Sequence, residues 1–204
     1  MEQKENQVIL RGTVASEVTF SHRVHGIDFY GFTLSVPRLS GREDLVNILL
    51  PSAQGEPLPE PGQFAEVTGQ LRSFNNRSGV GSRLVISVLA KTILPSQELP
   101  CNQVYLTGTL CKPPILRRTP LGRDICDLLL AVSRRYRRAD YLPCIAWGRL
   151  ALSCGQLETG DRLWLDGRLQ SRTYLKTIGE ISQERTAFEI SISALDILEP
   201  EGPF

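Results

Sequence analysis

Apolar and polar residues alternate along short runs of this chain, as at Val8 and Leu10, at Phe32, Leu34 and Val36, and at Ile86 and Val88. Val104 and Leu106 continue the pattern in the second half. A period of two turns one side of the backbone toward a core and the other toward solvent, so each run predicts a half-buried strand. One stretch reads differently. Leu150 to Leu157 (LALSCGQL) suits a short helix.

The runs also repeat. NQVILRGTV (6–14) returns as NQVYLTGTL (102–110), with six of nine positions identical at an offset of 96. FTLSVPR (32–38) aligns with LLLAVSR (128–134) at the same offset, and GQFAEVTGQL (62–71) with GDRLWLDGRL (160–169) at 98. LVISVLAKTIL (84–94) matches FEISISALDIL (188–198) at 104. Four ordered matches with small gaps mark a tandem duplication. Each repeat holds five strands separated by Gly and Pro turns, the make-up of a small barrel such as the OB-fold. The expected fold is therefore all-β, with two tandem five-stranded OB-fold barrels, residues 1–97 and 98–204. The short helix falls between strands 3 and 4 of the second. The first repeat has PSAQGEPLPEPG at that place, and its prolines exclude a regular helix. The second repeat gains six residues around Leu175 to Arg185, which predicts a longer hairpin able to extend a binding surface.

Charge sharpens this picture. The net charge is +1, but residues 102–176 hold 13 Lys and Arg against 6 Asp and Glu, whereas residues 1–101 hold 9 against 10. A basic stretch within a neutral chain points to a local polyanion site. The five cysteines (101, 111, 126, 144, 154) show no CxxC spacing, and with only His22 and His25 beside them no zinc set can be written. No metal and no cofactor is expected. The start MEQKENQ is polar, which predicts neither a signal peptide nor a membrane span and favours a cytoplasmic protein with reduced thiols.

Single strands of nucleic acid are held by cations that follow the phosphates and by rings on which bases stack. The second repeat interleaves both. Tyr136 lies among Arg134, Arg135, Arg137 and Arg138; Tyr141 and Trp147 share a run with Arg149; Tyr174 follows Arg168 and Arg172. Lys112, Arg117, Arg118 and Arg123 fall between strands 1 and 2, in a stretch expected to be a loop. Trp164, in the LWL run of strand 4, suits packing or a subunit contact instead.

The run NQVYLTGTLCKPPILRRTPLGRDICDLLLAVSRRY, with YLPCIAWGRLA and GDRLWLDGRLQSRTY, resembles the bacterial single-stranded DNA-binding protein family over nearly all of residues 102–198. The resemblance implies non-catalytic binding of single-stranded DNA in replication, recombination or repair. Its stacking aromatics would be Tyr136, Tyr141, Trp147 and Tyr174, and the basic residues above would meet phosphates. It also implies a homodimer, because the family wraps DNA over four barrels and this chain supplies two. The last residues, EPEGPF, are similar to the acidic Pro-Phe tip through which the family recruits replication and repair enzymes, which would make Pro203 and Phe204 partner contacts.

The first repeat departs from the pattern. Ser40, Leu45 and Pro51 stand where Tyr136, Tyr141 and Trp147 do, leaving Arg72, Phe74 and Arg77 as possible secondary contacts. That loss favours packing or assembly, and it keeps open an alternative in which the chain is an OB-fold adaptor of a primosome or replisome. RNA also remains open as a ligand, because stacking does not read the 2′-hydroxyl. No Ser/His/Asp or Cys/His set points to an enzyme.

Overall fold

The computed structural model describes residues 5–52, 57–76, 83–178 and 181–199. The chain divides into two compact units. The N-terminal unit comprises Gln7–Gln103 with Thr173–Ala187, and the C-terminal unit comprises Met1–Asn6, Val104–Arg172 and Phe188–Phe204.

In the N-terminal unit the strands are β1 (Asn6–Val14), β2 (Thr19–Val24), β3 (Ile27–Pro37), β4 (Glu43–Ser52), β5 (Phe64–Asn75) and β6 (Leu84–Pro95). The ladder returns on itself: β1 pairs antiparallel with β3 and β5, β3 with β4, and β5 with β6, while β4 meets β6 in parallel. Alternation supplies the core, with Val8, Leu10, Leu34, Val36, Val67, Leu71 and Val88 fully or almost fully buried. Gly12 sits where β1 changes partner. A Cβ there would lie 2.1 Å from the Ser35 carbonyl oxygen, so only glycine lets the strands approach so closely.

The C-terminal unit is built from β7 (Cys101–Leu110), β8 (Ile115–Arg118), β9 (Asp124–Arg134), β10 (Arg138–Trp147), β11 (Arg162–Ile178) as far as Arg172 and β12 (Ile181–Leu198) from Phe188, with helix α1 (Arg149–Cys154) between β10 and β11. Its pairings have the same order. β7 meets β9 and β11, β9 meets β10, β10 meets β12 in parallel, and β12 neighbours β11. Leu106, Leu110, Leu130, Val132, Leu142, Leu163, Leu165, Leu169 and Ile190 fill its core. Gly108 repeats the role of Gly12, with a Cβ there only 2.9 Å from the Ala131 carbonyl oxygen.

Two strands were not foreseen. β2 and β8 pair only with β3 and β9, and every residue in both is exposed. An edge strand without a buried face needs no apolar alternation, so its sequence carries no strand signal. Arg117 and Arg118 therefore lie on β8 and not on a loop. β11 and β12 run for 17 and 18 residues, making the long hairpin that the six-residue gain predicts.

Candidate nucleic-acid interface

Residue parity in β9 and β10 sorts the side chains. The core side holds Cys126, Leu128, Leu130 and Val132 opposite Ala146, Cys144, Leu142 and Asp140. The outer side holds Tyr141 opposite Ala131 and Trp147 opposite Ile125. Both rings are exposed, Tyr141 at 50% and Trp147 at 41%, and the methyl of Ala131 leaves room beside Tyr141. Six residues of extended strand separate them by about 20 Å. Arg117 on β8 pairs with Ile125, so one row of this face runs Arg117, Ile125, Trp147. Pro143 and Ile145 lie between the rings on the same side.

The turn joining β9 to β10 carries the most exposed ring of the set. Arg134 is paired with Arg138, and the loop between them is Arg135, Tyr136, Arg137. Tyr136 is 92% exposed, and the three neighbouring arginines 135, 137 and 138 are exposed as well. Tyr136 and Arg137 have φ of 64° and 54°, in the left-handed region. An L-residue there costs roughly 1–2 kcal/mol. In the N-terminal unit the equivalent loop is Leu39, Ser40, Gly41, and the left-handed position is a glycine with φ of 80°. Strain of this sort gathers at functional positions when the surrounding structure enforces it.

The remaining cations divide into two groups. Arg117 donates to Asp127 at 2.6 Å, Arg118 to Asp124 at 2.9 Å, Arg134 to Asp140 at 3.3 Å, and Arg172 lies 3.7 Å from Glu189. The bond from Arg118 holds the Asp124 carboxyl below the usual carboxylate range. Lys112, Arg123, Arg135, Arg137, Arg138, Arg149 and Arg168 are exposed, with no acidic partner among the described residues. Arg123 closes the β8–β9 turn, where its backbone N–H donates to the Thr119 hydroxyl at 3.0 Å. Arg149 opens α1 directly after Trp147 and Gly148.

Tyr174 is half-buried and falls in the part of β11 that groups with the N-terminal unit. Trp164 is half-buried on β11, opposite Thr107. Of the secondary contacts, Phe74 is 54% exposed near the end of β5, and Arg72 donates to the Gln70 side chain. Arg77, Pro203 and Phe204 lie outside the described residues.

Sequence reasoning missed two features. One is a pair of buried carboxylates, Asp44 and Asp140, each fully buried and each paired with the arginine six residues earlier. The equal spacing in both repeats was the available signal. The other is an aromatic hairpin on β2 and β3: Phe20 meets Tyr30 edge-on at 6.1 Å, and the His22 ring lies parallel to Phe29 at 4.7 Å. The N-terminal unit therefore has ring surface of its own. Among the described residues no group of His, Cys, Asp and Glu side chains is placed to hold a metal ion. Nor is any helix there long and apolar enough to cross a membrane.

Strand order, rings and free arginines together define an all-β chain of the oligonucleotide-binding-fold class. The comparisons with known proteins specify it further: residues 101–198 match the model of the single-strand binding protein family. Single-stranded DNA-binding protein A of Bacillus subtilis is 36% identical over 108 residues, covering 50% of this chain and 61% of that protein. The single-stranded DNA-binding protein of Thermus thermophilus is 33% identical over 114 residues, 53% of this chain and 41% of that protein. The chain thus spans less than two thirds of these relatives' length. The crystal structure of the wild-type single-stranded DNA binding protein from Thermus aquaticus superposes with a TM-score of 0.76 at 27% identity, covering 98% of this chain and 95% of that one.

Proposed function

We propose that this chain binds single-stranded DNA without catalysis, in replication, recombination or repair. Tyr141 and Trp147 stack bases along the outer face of β9 and β10, Tyr136 stacks at the turn, and Tyr174 is the fourth stacking ring. The observation that carries the reading is the exposed Tyr136, Tyr141 and Trp147 set beside arginines that have no acidic partner among the described residues. Bases stack on any accessible ring, which suits a sequence-tolerant site. Lys112, Arg123, Arg135, Arg137, Arg138, Arg149 and Arg168 are the first phosphate contacts. Arg117, Arg118, Arg134 and Arg172 join them only by exchanging a carboxylate for a phosphate.

The finer organisation belongs to the same proposal. Each of two domains, 1–97 and 98–204, is an OB-fold barrel, and α1 is the helix between strands 3 and 4 of the second. Two chains form a homodimer with four barrels, in the cytoplasm and associated with the nucleoid. Leu39 and Leu45, exposed where the second repeat has Arg135 and Tyr141, support an assembly role for the first barrel, with Arg72, Phe74 and Arg77 as secondary contacts. Pro203 and Phe204 would contact replication or repair enzymes.

Tryptophan fluorescence tests the main claim. Oligo-dT should quench the emission, and binding should weaken steeply with salt. Trp147→Ala should remove most of the quenching and cost roughly 1–3 kcal/mol of affinity. Equal affinity for duplex DNA, or wild-type binding by the variant, would favour the adaptor reading.

A further inference from the structure

We infer that Asp140 is a positioning residue for DNA binding, clamping the turn that presents Tyr136 through its ion pair with Arg134. The inference rests on the single-strand reading above. Asp140 is completely buried at the start of β10, on the core side, opposite Val132. Arg134, at the end of β9, keeps its side chain 32% exposed and reaches inward to the carboxylate at 3.3 Å. The pair therefore closes the base of a loop whose tip is Tyr136.

The N-terminal unit contains the same device. Arg38 donates to the fully buried Asp44 at 2.7 Å across an equivalent three-residue loop. There the loop contains Gly41 at the left-handed position, and Ser40 stands at the tip. A Ser-Gly turn adopts that shape readily. A Tyr-Arg turn with two left-handed residues does not, and relaxes unless its ends are held. The clamp is thus structural in one unit, whereas in the other it also fixes where a base-stacking ring stands. Asp140 touches no DNA; it acts through Tyr136.

The duplication provides an internal control. Oligo-dT affinity would be measured for the full chain carrying Asp140→Asn, Tyr136→Ala, Tyr141→Ala, Asp140→Asn with each of the two tyrosine changes, and Asp44→Asn, with urea denaturation of each. Asp140→Asn should lose about tenfold in affinity, as Tyr136→Ala does, within the range of one stacked ring. Adding Tyr136→Ala to Asp140→Asn should cost less than twofold more, whereas adding Tyr141→Ala should cost its full separate loss. Asp44→Asn should lower the denaturation midpoint and leave affinity within twofold. Should Asp140→Asn not fold, Asp140→Glu keeps the charge but displaces the carboxylate, and its loss should likewise vanish in a Tyr136→Ala background. Losses at Asp140 and Tyr136 that multiply, or an equal loss from Asp44→Asn, would overturn the positioning role while leaving single-strand binding intact. A Tyr136→Ala protein that binds as wild type would overturn the positioning role together with the assignment of Tyr136.

Discussion

Replacing Arg137 by glycine should make the protein more stable and a weaker binder. Arg137 has φ of 54°, and Gly41 holds the matching place in the N-terminal unit at φ of 80°. Relieving an L-residue of the left-handed region returns roughly 1–2 kcal/mol. Glycine gives back roughly 0.5–1 kcal/mol of that through its greater freedom in the unfolded chain. The net gain is about 0–1.5 kcal/mol, centred near 0.75, readable as a raised midpoint in urea with an unchanged slope. The exposed guanidinium is lost at the same time. If it meets one phosphate, the slope of log affinity for oligo-dT against log salt should become shallower by about 0.7. Stability rising while the salt slope flattens would identify a residue kept for binding at a cost to folding. A lowered midpoint with an unchanged slope would refute both halves of the reasoning.

Other consequences are simpler. Burial pushes the Cys154 thiol up to about 11 and Cys144 higher still, so neither should react with a thiol reagent in the native state at neutral pH, whereas denaturation should release both. Because these folded-state values lie above those of the unfolded chain, the stability they contribute is complete below the ordinary thiol range. It should fall as pH rises from about 9 toward 11, and a flat denaturation profile there would contradict the burial. Gly12→Ala, whose Cβ would lie 2.1 Å from a carbonyl oxygen, should destabilise more than Gly108→Ala at 2.9 Å, both on the order of 1–3 kcal/mol by urea denaturation. Equal losses would mean that the strands shift freely. Sedimentation at micromolar concentration should give twice the 22.7 kDa chain mass, and a monomer would refute the homodimer.

Much of the molecule is legible in the residues. Alternation at Val8, Leu10, Val104 and Leu106 reports strands with one buried side, because an extended backbone turns successive side chains to opposite faces. The repeat places each strand beside its counterpart, and the interleaving of tyrosines with arginines marks the basic and aromatic stretch before any coordinates are known. Those signals are local, and so survive in one dimension.

The state of each cation does not. Asp127 neutralises Arg117, and Asp124 neutralises Arg118, because β8 lies against β9 in one register. Ten and six residues separate those partners in the chain, and nothing local requires them to meet. Arg134 reads as one more arginine in SRRYRR until the fold sets the buried Asp140 beneath it. The β2 and β8 edge strands bury nothing, and so they left no pattern to read. Sequence by itself determined which residues are candidates for the chemistry, since composition and period are properties of the chain. Only the tertiary structure decided which arginines remain available to a ligand, since that depends on strand register, burial and the two left-handed residues at one turn.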